Sequence, residues 1–203
     1  MKLPAWLHPA LLVLRRMVAR LQRWPRPPAG TASIPRLPRG LKQPDRTSCG
    51  SSVLVAMQIL EGDVPDDFAA AALAMRRRTN GMYDVAGRLQ LPWPAGLGTR
   101  PAALIRQLGG DWRNHVVDPW RPAAAYDALV GFVRSGQPIP LFIGEGSWMQ
   151  HIVLVVGATD DHLDIYDPAR GDVLRRTRRD FETARLHVAG WDQPWLVILP
   201  SSA

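Results

Sequence analysis

Apolar positions recur at three- and four-residue intervals through the first two-thirds of the chain and change to short, nearly continuous runs after Gly136. Helices are therefore expected first and strands second. Val53, Leu54, Met57 and Leu60 fall on one face of a helix predicted over Cys49–Leu60, with Gly62 as its stop. An alanine-rich helix is expected over 67–78, ending near Asn80-Gly81. A third runs from a Thr99 cap through Pro101, Leu104, Ile105 and Leu108, and a fourth over 122–135 carries Tyr126, Leu129, Val130 and Val133. The β-rich runs are 139–143, 151–156, 163–166, 173–175 and 195–199. Thr177 and Asp180 ahead of Phe181 form a variant capping box for one short helix. Helices followed by antiparallel strands predict an α+β fold.

The pattern upstream of residue 41 is different. Residues 4–24 read as one amphipathic helix, with Leu7, Leu11, Leu14, Val18 and Leu21 on a stripe and Arg15, Arg16, Arg20 and Arg23 off it. Pro25, Pro27, Pro28, Pro35 and Pro38 then predict an extended linker over 24–41. The uninterrupted apolar stretch 9–14 is far short of the ~20 residues that span a bilayer. Arginines after that stretch, with no small-residue cleavage site, do not describe a secretory signal.

Charge sharpens this division. Of the net +7, residues 1–40 supply eight basic and no acidic side chains, while the other 163 residues hold 17 basic and 18 acidic ones. With 46 % hydrophobic residues, the chain can fill one sizeable core. The expected organisation is a basic, proline-rich tail over 1–40 and one domain over 41–203. For the tail the partners that fit are an anionic membrane surface or a protein, against the plainer alternative of a helix packed on the body. Nucleic acid is disfavoured, because the body is near neutral and the tail carries no recognisable binding motif. With no cleavable signal visible, a cytoplasmic location is the expectation.

Cys49 is the only cysteine, which rules out an intramolecular disulfide and any CxxC zinc or redox motif. A lone thiol is either core filler or a nucleophile. At the start of a helix, after the loop 42–48, its sulfur lies beside unpaired backbone N–H groups and the positive end of the helix dipole, which favour a thiolate. Gly50 is a poor helix former whose missing side chain admits close approach of substrate and backbone. Gln43, six residues before Cys49, can set an amide N–H beside the backbone N–H of Cys49 to hold the oxyanion of a tetrahedral intermediate. The bland alternative is a solvated loop glutamine.

His151 opens the most apolar run of the chain, which ends at Gly157. That position fixes a ring at the edge of the core and suits a general base for a thiol. Among the other histidines, His8 is in the tail, His162 is in a turn beside Asp160 and Asp161, and His115 and His187 lack a matching motif. Asp167 ends the following run and begins Asp-Pro-Ala-Arg-Gly171. If the two runs pair as a hairpin, Asp167 returns to His151 and orients its ring. Asp164 is a weaker rival. A core histidine and an Asp-Pro turn opener are the structural alternatives for this pair.

Gln43-x5-Cys49-Gly50, His151 before a β run ending in Gly157, and Asp167-Pro-x-x-Gly171 before Phe181-Glu182 together resemble the bacteriocin-processing, double-glycine cysteine peptidases of bacteria and their stand-alone relatives. The resemblance extends over about 41–199. It implies a papain-like fold, thioester chemistry at Cys49, His151 as base, Asp167 as its orienter, Gln43 in the oxyanion hole, a peptide or protein substrate, and no cofactor or metal. No nucleotide-binding P-loop or membrane-spanning block follows the motifs, so a peptidase attached to its own exporter is not expected. Nor is the cysteine followed by the tryptophan or tyrosine of lysosomal papain-type enzymes. Acyl transfer to an amine or thiol, deamidation, and a catalytically silent papain-like binding module are the competing functions.

Overall fold

A computed structural model describes residues 7–201 apart from 85, 95, 97, 110 and 147. One six-stranded antiparallel sheet organises it, in the order β1-β6-β2-β3-β4-β5. The strands are β1 (Trp112–Val116), β2 (Ile139–Glu145), β3 (Trp148–Ala158), β4 (His162–Asp167), β5 (Asp172–Thr177) and β6 (Gln193–Pro200). The helices are α1 (Leu7–Leu21), α2 (Cys49–Leu60), α3 (Phe68–Asn80), α4 (Pro101–Gln107), α5 (Ala123–Arg134) and α6 (Arg178–Glu182). The expected α+β plan is the observed one.

The central strands are apolar at consecutive positions because the sheet is covered on both faces. Side chains alternate between faces along a strand. In β3, Val153 and Val155 join Tyr126, Leu129 and Phe132 of α5, while Ile152 and Leu154 join Val53, Leu54 and Met57 of α2. Helix α2 is consequently buried along almost its whole length, and its first residue is held against the sheet.

Several local expectations are met by identifiable chemistry. Asp67 is the N-cap of α3 and accepts from the backbone N–H groups of Ala69 and Ala70. Thr177 and Asp180 form a reciprocal capping box at α6. Strand β1 was not anticipated: only His115 in it is buried, and it pairs with β6 alone at the sheet's edge. Edge strands of that kind carry little hydrophobic alternation.

After α1, residues 22–40 run along the body without helix, with one β-bridge between Ala32 and Ser135. Trp24 stacks on the ring of His115 with centroids 5.3 Å apart, and Ala32 N–H donates to Arg134 O at 2.9 Å. A Cβ added to Gly131 would come within 2.7 Å of the Pro27 ring, so the linker lies directly on α5. The start of α1 expected at residue 4 falls outside the described residues. The orientation of α1 departs from the simplest reading of its stripe: Leu14, Val18 and Leu21 are exposed, whereas Arg15 and Ala19 are buried.

Candidate active site

Cys49 is the first residue of α2 and keeps 9 % of its surface exposed, so the thiol is nearly enclosed but not sealed. The glycine beside it admits a close approach from another part of the chain. A Cβ at Gly50 would meet the Thr99 Cβ at 2.6 Å, so the missing side chain lets Thr99 pack on α2. Thr99 does not cap α4. That position belongs to Arg100, which makes no side-chain cap bond.

Strand register explains how His151 and Asp167 meet. Leu154 lies opposite Tyr166 and Val155 opposite Ile165 in the β3–β4 hairpin, which returns the end of β4 to the neighbourhood of His151. His151 Nε2 and Asp167 Oδ1 are 2.9 Å apart. A carboxylate can only accept, so the proton resides on Nε2 and Nδ1 is the nitrogen left for the Cys49 side chain, which also raises the proton affinity of the ring. Burial by itself would depress the His151 pKa. The hydrogen bonds to Asp167 and Cys49, with the negative charge of those partners, outweigh it and raise the value to about 9.

Asp167 is fully buried. Its Oδ1 also accepts from the Ala169 N–H at 2.9 Å, while Oδ2 has no hydrogen-bond partner among the described residues. The Arg170 Nε stands 4.0 Å from that oxygen, on a largely exposed side chain. Asp164 does not compete for His151: it lies opposite Gly157 and pairs with Arg175 at 2.8 Å.

The turn after Asp167 also holds the Gln43 loop. Gln43 N–H donates to Pro168 O at 2.7 Å, Gly40 N–H to Gly171 O at 2.9 Å, and the Tyr166 hydroxyl to Leu41 O. Gly171 has φ +77°, and a Cβ there would lie 2.9 Å from Lys42 N. Any larger residue would push the loop away. The Gln43 side chain turns toward Asp45, its Nε2 donating to Asp45 O at 2.7 Å, which leaves one amide proton uncommitted. Its Oε1 is buried without a partner among the described residues. Asp45 is fixed in turn by the Thr47 N–H at 2.9 Å and by Arg76 at 2.5 Å.

Of the four residues singled out in the sequence, His151 thus touches both Cys49 and Asp167, and Gln43 sits in the loop leading to Cys49. Tyr166, Gly171 and Thr99 were missed as builders of the site. Only Gly171 had a signal, the final glycine of Asp-Pro-x-x-Gly. Among the described residues no cluster of three or more His, Cys, Asp or Glu side chains could hold a metal ion.

No family model matches the chain, and no curated protein sequence matches it. Solved structures do. A double glycine motif protease from an AMS/PCAT transporter, crystallised in complex with the leader peptide, matches at TM-score 0.50 and 14 % identity over 87 % of this chain and 98 % of that one. This chain has the fold of a double-glycine peptidase domain. The peptidase domain of Streptococcus ComA, a bi-functional ABC transporter involved in quorum sensing, matches at TM-score 0.49 and 17 % identity over 80 % of this chain and 96 % of that one. The double-glycine peptidase fold is papain-like, as the motifs implied. At these identities the likeness concerns the fold, and the chemistry has to be argued from the residues.

Proposed function

We propose that the chain is a cysteine peptidase that cleaves a peptide amide bond through a thioester at Cys49, with His151 as base and Asp167 as its positioning residue. What carries this reading is the His151 ring, bonded to a buried carboxylate 2.9 Å away and with its proton affinity raised both by that carboxylate and by the only thiol in the chain. A core histidine satisfied by backbone would not need either partner.

The chemistry follows from those positions. His151 Nδ1 takes the thiol proton, and the Cys49 sulfur attacks the carbonyl carbon of the scissile amide. The oxyanion that forms is stabilised by the Cys49 backbone N–H and by the free amide proton of Gln43. His151 returns its proton to the leaving amine as the C–N bond breaks, which leaves an acyl thioester on Cys49. Water, deprotonated by His151, attacks that thioester, releasing the acid and restoring the thiol. Asp167 keeps Nε2 protonated and steadies the imidazolium throughout.

Alkylation of Cys49 by iodoacetamide across pH, in the native chain and in His151→Ala, tests the proposal. The native thiol reacts well below the free-thiol pKa of ~8.5 and the variant loses most of that low-pH reactivity. An ordinary thiol profile in both proteins overturns it.

A further inference from the structure

The mooring of α1 leaves its apolar face turned outward. At 100° per residue, Val13, Met17, Leu21, Leu14 and Val18 fall in that order around the helix within an arc of about 140°. All five are exposed, Leu21 to 84 %. The opposite side binds the body through polar groups. Arg15 is buried and donates to Val117 O at 3.0 Å and Pro194 O at 2.6 Å, and its guanidinium lies 3.9 Å over the Trp195 ring. Gln22 completes the attachment, exchanging side-chain hydrogen bonds with the backbone of Val116 in both directions.

An amphipathic helix at a protein surface ordinarily buries its apolar stripe in its own domain. Here that stripe is presented to the outside while a charged residue is buried to hold it there. The charge around the stripe selects the occupant. Arg20 is exposed at the margin next to Val13 and Met17, and residues 1–40 carry eight basic side chains and no acidic one. A second copy of the chain would bring the same positive charge to the same face. An anionic bilayer offers acyl chains for the apolar arc and opposite charge for its margin.

We infer that α1 is an in-plane anchor that lays Val13, Leu14, Met17, Val18 and Leu21 into the surface of an anionic membrane. No described helix is long and apolar enough to cross a membrane, and at 15 residues α1 fits on a surface instead. The anchor also fixes where the candidate active site stands. Pro194, which accepts from Arg15, pairs with Ile143 of β2, and Ile143 pairs with His151. The helix is moored two strands from His151, roughly 10 Å across the sheet. A peptide emerging from the same membrane surface would be within reach of it.

Sedimentation of the full chain with vesicles of phosphatidylcholine alone, and with vesicles enriched in phosphatidylglycerol, decides the matter. The native chain binds the anionic vesicles at least ~10-fold more tightly than the neutral ones, and added salt weakens that binding. The variant Leu14→Ser/Val18→Ser/Leu21→Ser loses vesicle binding while keeping its melting temperature and its Cys49 alkylation profile, because the three side chains are exposed. Arg20→Glu weakens binding to anionic vesicles only. Absence of binding, equal binding to both compositions, or undiminished binding by the triple serine variant overturns the inference. A lipid-free dimer that the triple variant dissociates also overturns it and assigns the face to a second copy. None of these outcomes depends on whether Cys49 is a nucleophile.

Discussion

Two buried charges hold two different parts of this molecule, and their surroundings differ in kind. Asp167 is enclosed beside another titratable group, His151, while Arg15 is enclosed among backbone carbonyls and the face of Trp195. The consequences for proton affinity are opposite. His151 gains from its partners more than it loses to burial and its pKa rises to about 9. Arg15 loses more to burial than the charge of Asp118 returns, and its pKa falls to about 10. Fixed dipoles can satisfy a buried charge geometrically, but only ionisable neighbours allow protons to be passed at neutral pH. The surroundings of Arg15 build an attachment; those of Asp167 build a pair between which a proton can move.

The largest expected effect comes from breaking the buried His151–Asp167 pair. Asp167→Ala removes the acceptor of His151 and of the Ala169 N–H together. Loss of one member of a buried pair costs ~3–5 kcal/mol, and His151 can shed its proton, so a value near ~3 kcal/mol is expected in urea unfolding. The pH dependence checks the assignment. A histidine with a folded pKa of about 9, against ~6.5 when unfolded, adds stability that is complete below the unfolded value and is lost as pH rises through the folded one. Native stability therefore declines between those limits, and in Asp167→Ala the decline flattens. An unchanged slope in the variant would remove Asp167 as the source of the raised affinity.

A middle-sized effect is expected at the attachment. Arg15→Met keeps an apolar stem near Trp195 but leaves the carbonyls of Val117 and Pro194 without their donor. Buried acceptors left unsatisfied cost ~1–3 kcal/mol. Trypsin should then cut within residues 16–26 faster than in the native chain, while the alkylation profile of Cys49 stays where it was. A shift in that profile would mean that the attachment and the site are one unit.

The same contrast explains what could be read from the sequence. The hairpin that unites His151 with Asp167 was legible because consecutive apolar runs separated by Asp160-Asp161 have few ways to pair, and α2 was legible to its ends because its apolar face and its glycine stop agree. What escaped were relations between distant segments. The stripe on α1 identifies an apolar face but not what covers it, and nothing local announces that Arg15 would be the buried residue. Thr99 has the composition of a cap and is instead a packing partner for Gly50, a choice made by the tertiary contact between α2 and the residue before the Arg100 cap of α4. Strand β1 escaped because its residues are selected by one neighbour at an edge. The clamp of the Asp167 turn on the loop 40–43 escaped because backbone hydrogen bonds leave no side-chain pattern.

Arg170 offers the finest test of the comparison, because its guanidinium stands 4.0 Å from the Asp167 oxygen that has no hydrogen-bond partner among the described residues. If that contact mattered to the buried pair, Arg170→Ala would destabilise the chain and, by removing a neighbouring positive charge, raise the proton affinity of His151. At 4.0 Å, on a side chain 62 % exposed, the guanidinium is screened by water and gains little from the carboxylate. The expected loss is below ~0.5 kcal/mol, with the pH–stability curve and the Cys49 alkylation profile both superimposable on the native ones. A displacement of either curve would place Arg170 inside the pair, and the carboxylate would then be held from outside as well as by the histidine and the turn.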